Sequence, residues 1–171
     1  MAVSEPSVCL VQRVDYADPV QAQALVDLLD GYARDPAGGG EPLAAHVRAE
    51  LVPRLQALPQ AFSVMAWHGP VAPGNAVGLV NCLEGFSTFA ARPLVNVHDV
   101  VVQPAWRGRG VARAMLRTVE AIARERGACK LTLEVLSGNH PAMRLYRDIG
   151  FEGYALDPAM GAAVFLQKKL P

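Results

Sequence analysis

The stretch Arg107-Gly108-Arg109-Gly110-Val111-Ala112 carries the residue types that grip an anion. Two glycines let the backbone approach a ligand closely. The helical periodicity that follows means that several amides there lack helical partners, and the helix dipole adds positive potential. The segment reads as a phosphate cradle. It is not a Walker A loop, because no Gly-Lys-Ser/Thr follows. Gly108-x-Gly110 begins a dinucleotide fingerprint, but Arg113 stands where the third glycine belongs. That fingerprint should also follow the first strand of its βαβ unit, and here several elements come first.

The charge distribution supports the same stretch. Sixteen Lys and Arg balance sixteen Asp and Glu over 171 residues, which argues against a polybasic binder of nucleic acid or of an acidic membrane surface. Residues 1–103 hold five basic side chains against ten acidic ones, and residues 104–150 hold nine against four. The positive charge is therefore concentrated around the glycine-arginine motif. A composition of 51% hydrophobic and 19% charged residues fits one globular domain spanning residues 1–171.

Around the loop, the periodicities define the elements that must position it. Val8–Val14 reads as a strand. Asp18 is an N-cap with Pro19 at the first helical position, and the helix runs to about Arg34. A second helix is expected from Pro42 to Leu58, kinked or split by Pro53. Ala61–Trp67, Ala76–Leu83 and the valine-rich Pro93–Gln103 read as strands. Gly110–Arg126 is an amphipathic helix with Val111, Met115, Val119 and Ile122 on its apolar stripe. Lys130–Leu136 is a strand, Asn139 caps a short helix ending at Gly150, and Phe151–Tyr154 and Ala163–Lys168 are expected as two last strands. The fold class is α/β: one mixed, mostly antiparallel central sheet of about seven strands with helices on both faces.

Cys9, Cys82 and Cys129 are odd in number and widely spaced, which predicts small buried side chains and no disulfide framework or metal site. No run approaches the roughly 18 apolar residues of a membrane span. Met1–Leu10 lacks the basic-then-apolar layout of a signal peptide. A cytoplasmic setting is expected, without nucleic-acid or membrane partners; a homodimer is compatible with this sequence.

Beyond the loop, the sequence resembles the Gcn5-related N-acetyltransferase superfamily. Arg107, Gly110 and Ala112 match its Arg/Gln-x-x-Gly-x-Gly/Ala loop, and Leu133-Glu134-Val135, Asn139, Ala142, Leu145-Tyr146 and Gly150-Phe151 match its second signature. The resemblance is strongest over residues 95–155 and rests on element order elsewhere. It implies that the central strands splay and that acetyl-CoA binds there. Val100, Val101 and Val102 would pair with the pantetheine arm, and Gly108, Arg109, Gly110, Val111, Ala112 and Arg113 would hold the pyrophosphate. Asn139 and Ala142 belong to the pantetheine contact. Tyr146 would protonate the leaving thiolate. Arg107, Arg109, Arg113, Arg144 and Arg147 are candidates for the 3′-phosphate.

Direct transfer to an amine also needs a base, because a lysine-like amine is neutral only to roughly 4 parts in 10,000 at pH 7. The resemblance offers Glu134, twelve positions before Tyr146 as in the ribosomal-protein acetyltransferases. It also offers His98-Asp99, where the diamine acetyltransferases carry Glu-Asp. Strand alternation would send His98 and Asp99 to opposite faces. The acceptor walls implied are Tyr32, Glu84, Phe86, Ser87, Thr88 and Phe89, with Asp30, Asp35 and Glu41 favouring a cation. The expected activity is acetyl transfer to a primary amine of a small molecule, a cationic one being compatible with the acidic residues. The alternatives are a protein N-terminal or lysine acetyltransferase and a coenzyme-A-binding module without turnover.

Overall fold

A computed structural model describes residues 9–154, 157, 159, 161 and 163–170. Two compact units divide the chain, Met1–Leu133 and Glu134–Pro171.

The first unit is built on a five-stranded sheet in sequential order. Its strands are β1 (Leu10–Arg13), β2 (Ala61–Trp67), β3 (Ala76–Ser87), β4 (Arg92–Val102) and β5 (Leu131–Leu133). The first four are antiparallel, and β5 runs parallel to β4. The sheet is therefore mixed, as its connections require: hairpins join β2, β3 and β4, whereas a helix carries the chain from β4 to β5.

Three helices complete this unit: α1 (Pro19–Ala33), α2 (Ala45–Gln56) and α3 (Val111–Glu125). Asp18 caps α1 through its carboxylate, which accepts from the amides of Val20 and Gln21. Leu25 and Leu28 of α1 and Val52 of α2 form one apolar layer with Met65, Trp67, Leu79 and Val101 of the sheet. The helix α3 covers the other face. A Cβ placed on Gly78 of β3 would meet Met115 and Val111 of α3 at 2.8–3.1 Å, so the bare glycine lets α3 approach closely. Val111, Met115, Leu116, Val119 and Ala123 are the buried stripe of α3.

The second unit contains α4 (His140–Asp148), whose cap is Asn139: its Oδ1 accepts from the Ala142 amide at 3.3 Å.

Several expectations are corrected. Only Leu131–Leu133 of the segment Lys130–Leu136 forms a strand. The described residues form five strands rather than seven: Phe151–Tyr154 and 163–168 have no strand. A strand exists only with a neighbour to take its amides and carbonyls, and neither segment has a ladder partner among the described residues. Tyr154, Val164, Phe165 and Leu166 remain exposed. The helix α2 begins at Ala45, not Pro42; in the segment ahead of it the Leu43 amide donates to the Asp30 carboxylate at 2.9 Å. Pro53 lies in its last turn and does not split it. Of the cysteines, Cys82 is buried, its thiol pushed up to about 12 by burial, while Cys9 and Cys129 are half-buried.

Asp30 ties α1 to the chain entering α2. The Leu43 amide, with the guanidinium groups of Arg34 and Arg48, holds its carboxyl below the ordinary aspartate value of 3.8, against the opposing effect of burial. A depressed folded pKa contributes stability above that value, and the contribution disappears as pH falls through the lower folded one. Asp30→Asn should therefore lower the melting temperature at pH 7, and the gap to the parent should narrow below pH 3.8; a gap that is the same at pH 7 and pH 2.5 would contradict this assignment.

Candidate active site

The strand β4 is paired on one edge along its whole length and on the other for only three residues. Its ladder with β3 runs from Ser87↔Arg92 to Gly78↔Val102. Its ladder with β5 covers Val95↔Leu131, Asn96↔Thr132 and Val97↔Leu133. Beyond Val97, alternation determines which groups face outward. The Gln103 amide donates to the Val77 carbonyl of β3 at 2.9 Å, so Val101 and Asp99 also turn their backbone groups to β3. Val100 and Val102 turn theirs to the outer edge. Of the three valines expected along a pantetheine arm, Val100 turns its amide and carbonyl there and Val102 its amide, the Val102 carbonyl accepting from Arg107 Nε. Val101 instead buries its side chain in the layer under α1.

A short turn, Pro104–Trp106, leads from β4 into the glycine loop. Gly108 and Gly110 have φ of +73° and +80°, the left-handed region that only glycine enters without strain. Gly110 is the N-cap of α3 and supplies no side-chain cap, so the first-turn amides keep their donors available. No heavy atom lies within 4 Å of a Cβ built on either glycine, which leaves the loop backbone open to a ligand. These features fit a pyrophosphate. Trp106 braces the loop, its ring 4.5 Å from that of His68 and 5.1 Å from the Arg109 guanidinium. Arg107 turns back on the chain: Nε donates to the Val102 carbonyl at 3.1 Å and Nη2 meets Asp35 at 3.1 Å. Its side chain therefore ties the loop to the segment after α1. Arg113 is half-buried at the helix start, and Arg144 and Arg147 are exposed on α4.

A cleft of about 220 Å³ lies between α1 and the end of β4. Asp27, Tyr32 and Asp35 line one wall, and Val101, Val102, Gln103 and Arg107 line the other. The Tyr32 hydroxyl is pushed above its ordinary value, first by burial and then by the negative charges of Asp99 and Asp35. It therefore stays protonated near neutral pH with Asp99 close by.

The ladder between β3 and β4 slips by one residue at this point: Asn81 pairs with Asp99, and Cys82 pairs with Val97. His98 is the inserted residue of a bulge. The insertion overturns strict alternation. Asp99 accepts from Asn81 Nδ2 at 3.0 Å, while His98 Nδ1 lies 3.4 Å from Asn96 Oδ1. Asn96 pairs with Leu83, which shares the face of Asn81 on β3. His98 and Asp99 thus end on the same side of the sheet, with His98 exposed and Asp99 half-buried.

Other expected wall residues are elsewhere. Phe86, Ser87, Thr88 and Phe89 form the β3–β4 hairpin end, ten ladder pairs from the loop end of β4, roughly 30 Å along the strand. There Ser87 is buried and accepts from the Ala90 amide, while Phe86 and Phe89 are exposed. They are not brought to Tyr32. Glu84 pairs with Arg126 at the end of α3 at 3.1 Å, on the face opposite α1. Asp30 is committed to the α1–α2 junction. In the second unit, Glu134 is exposed, and the Tyr146 ring packs edge-on against Phe151 at 5.8 Å.

Residues that the loop-centred reading did not single out are Tyr16, Ser63 and Asn81. Their signal is present in the sequence: Ser63 and Asn81 are lone polar residues inside otherwise apolar strands (AFSVMAW and LVNCL).

The family model for the acetyltransferase (GNAT) family matches residues 22–151. The chain belongs to this family. Over 88 residues it is 40% identical to streptothricin acetyltransferase from Streptomyces lavendulae, which covers 50% of this chain and 47% of that protein. Over 86 residues it is 33% identical to thialysine N-epsilon-acetyltransferase from Bos taurus, 46% of this chain and 49% of that one. The chain thus spans about half the length of these curated relatives. Among solved structures, an aminoglycoside acetyltransferase from an uncultured soil metagenomic sample, in complex with sisomicin, has a TM-score of 0.75 at 13% identity. That match covers 95% of this chain and 97% of that one, a likeness of fold. Members of this acetyltransferase family use acetyl-CoA as the acetyl donor, and the loop of this family member has the open backbone such a donor requires.

The left-handed Gly110 makes a direct prediction. Gly110→Ala should lose about 1–2 kcal/mol of stability through backbone strain, read as a lowered melting temperature. A melting temperature equal to that of the parent would contradict the strained geometry.

Proposed function

We propose that this chain is an acetyl-CoA-dependent N-acetyltransferase that moves acetyl to the primary amine of a small cationic molecule. The observation that carries the reading is the continuity of three features. The outer edge of β4 opens at Val100, the Gly108–Gly110 loop follows, and the unpaired first-turn amides of α3 come next.

Acetyl-CoA, when bound, supplies a thioester-activated acetyl group. The amides from Gly108 to Arg113 would hold its pyrophosphate, and the backbone of Val100 with the Val102 amide would offer strand-like hydrogen bonds to its pantetheine arm. Asn139, in the second unit, caps α4 through its Oδ1 and is the residue that the family resemblance assigns to the pantetheine contact. Tyr146, in the second unit, is the residue that the family resemblance assigns as the proton donor, a role its hydroxyl would fill. On the acceptor side, Asp99 receives the ammonium proton, directly or through a water, which the small neutral fraction of an amine requires. His98 and Glu134 are the other groups on which the same role is tested. The carboxylate of Asp27 on the wall beside Tyr32 supports a positively charged acceptor, because negative charge in a cleft concentrates cations; Asp35 on the same wall is already paired with Arg107. The sisomicin bound by the fold neighbour is an aminoglycoside, consistent with that class.

Acetyl-CoA at about a hundred times its Kd should stabilise the protein by about 2.7 kcal/mol, visible as a rise in melting temperature. Thiol release with polyamines, aminoglycosides, amino acids and peptides should be fastest for a polycationic small amine; fastest turnover with a peptide would move the assignment to a protein acetyltransferase. Tyr146→Phe and Asp99→Asn should each lower kcat about a hundredfold with little change in acetyl-CoA affinity. Wild-type turnover in either variant removes that residue from its role.

A further inference from the structure

A row of side chains crosses the sheet behind Asp99. Ser63 of β2 and Asn81 of β3 are Cα partners, and Asn81 and Asp99 are Cα partners in the next ladder. The three residues therefore stand side by side, perpendicular to the strands. Ser63 Oγ lies 2.6 Å from Asn81 Oδ1 and 2.8 Å from the hydroxyl of Tyr16, in the turn between β1 and α1. Ser63 is 0% exposed and Asn81 7%. Buried polar side chains in an apolar layer cost stability unless they are satisfied, and here each has a partner in the row.

Only one direction of donation satisfies every member. An ionised Asp99 only accepts, so Asn81 gives it an N–H from Nδ2. Asn81 Oδ1 must then accept from Ser63, whose only proton is thereby spent, and Ser63 must accept from Tyr16. Burial raises the Tyr16 pKa, which keeps that proton in place at neutral pH. All donors point towards the carboxylate. The amide in the middle does not readily pass a proton on, so the row orients and does not conduct. The bulge is what brings Asp99 onto it: without the inserted residue, the register of the hairpin end would set His98 opposite Asn81.

From this geometry we infer that Asn81 is a positioning residue for Asp99, locked in its amide orientation by Ser63 and Tyr16. The row engages Asp99 Oδ2 and does not engage Oδ1, the oxygen that meets the acceptor amine or its water. The inference rests on the proposed acceptor-side role of Asp99. Ser63 bonds Asn81 and Tyr16, and Asn81 bonds the carboxylate, so the effect of Ser63 and Tyr16 on turnover travels through the Asn81 amide.

The test is a double-mutant cycle on the full chain, with acetyl-CoA and the best amine found by thiol release. Ser63→Ala should lower kcat/KM for the amine by about five- to tenfold. It should leave acetyl-CoA affinity within about twofold, at a temperature where every variant is folded by circular dichroism. In the Asp99→Asn background the same substitution should change the residual rate less than about twofold. Tyr16→Phe, which removes one hydroxyl and leaves Asn81 its Ser63 donor, should show the same pattern at smaller amplitude, and it serves the same cycle if Ser63→Ala does not fold. Equal effects in both backgrounds, or no effect on the amine in the parent, overturn the inference while leaving the acetyltransferase reading intact. Wild-type turnover by Asp99→Asn overturns the acceptor-side role of Asp99 and the inference with it. Absence of any acetyl-CoA-dependent thiol release in the parent counts against the enzymatic reading itself.

Discussion

The site depends on how β4 divides its backbone hydrogen bonds. On one edge, β3 satisfies the strand from end to end; on the other, β5 satisfies it only to Val97. A strand edge with outward amides and carbonyls invites another extended chain. At Val100 that edge leads directly towards the glycine loop, where the proposed reading would place an anion. The open edge and the loop are consecutive in the chain. A ligand with a phosphate at one end and amides along its arm can therefore meet both without rearrangement of the fold.

The same ladder contains the one-residue insertion at His98. Its consequence reaches beyond the local bend. Below the bulge, Asp99 stands in line with Asn81 and Ser63, and on the same face Tyr32 brings α1 towards that carboxylate. A bulge re-aims side chains at the expense of a regular ladder. Here it converts a plain alternating strand into one that presents two polar side chains to one face. The polar row is deep in the layer under α1, where misaligned donors would be costly, so the arrangement is specific as well as tolerated.

Formal charge is a poor guide to the electrostatics that result. Much of the acidic half is consumed locally: Asp30 by Leu43, Arg34 and Arg48, Asp35 by Arg107, Glu50 by Arg54, and Glu84 by Arg126. Arg107, the first residue of the anion motif, is consumed with them. The proposed anion site would therefore rely on backbone amides and a helix terminus more than on arginine side chains. Several of these pairs are exposed, where they contribute little to stability. Asp30, with a backbone amide and two guanidinium groups around it, is the one that organises structure.

Much of the fold was legible where the signal is local. The Asp18 cap, the Pro19 start, the buried stripe of α3 and the Asn139 cap depend on residues within a turn or two of each other. The geometry of the glycine loop was legible for the same reason: positive-φ glycines and the helix they open are neighbours in the chain. The two last strands and the start of α2 were not: a strand needs a partner, and the segment ahead of α2 is held by Asp30, thirteen residues before Leu43. The sequence by itself determined that a glycine loop opens an amphipathic helix after a valine-rich strand. Tertiary structure decided that Asp99 bonds Asn81, that Glu84 serves the opposite face, and that Phe86–Phe89 lie far from Tyr32. Those outcomes turn on strand register, in which a shift of one residue exchanges the faces of a strand, and register is set by pairing between segments distant in the chain.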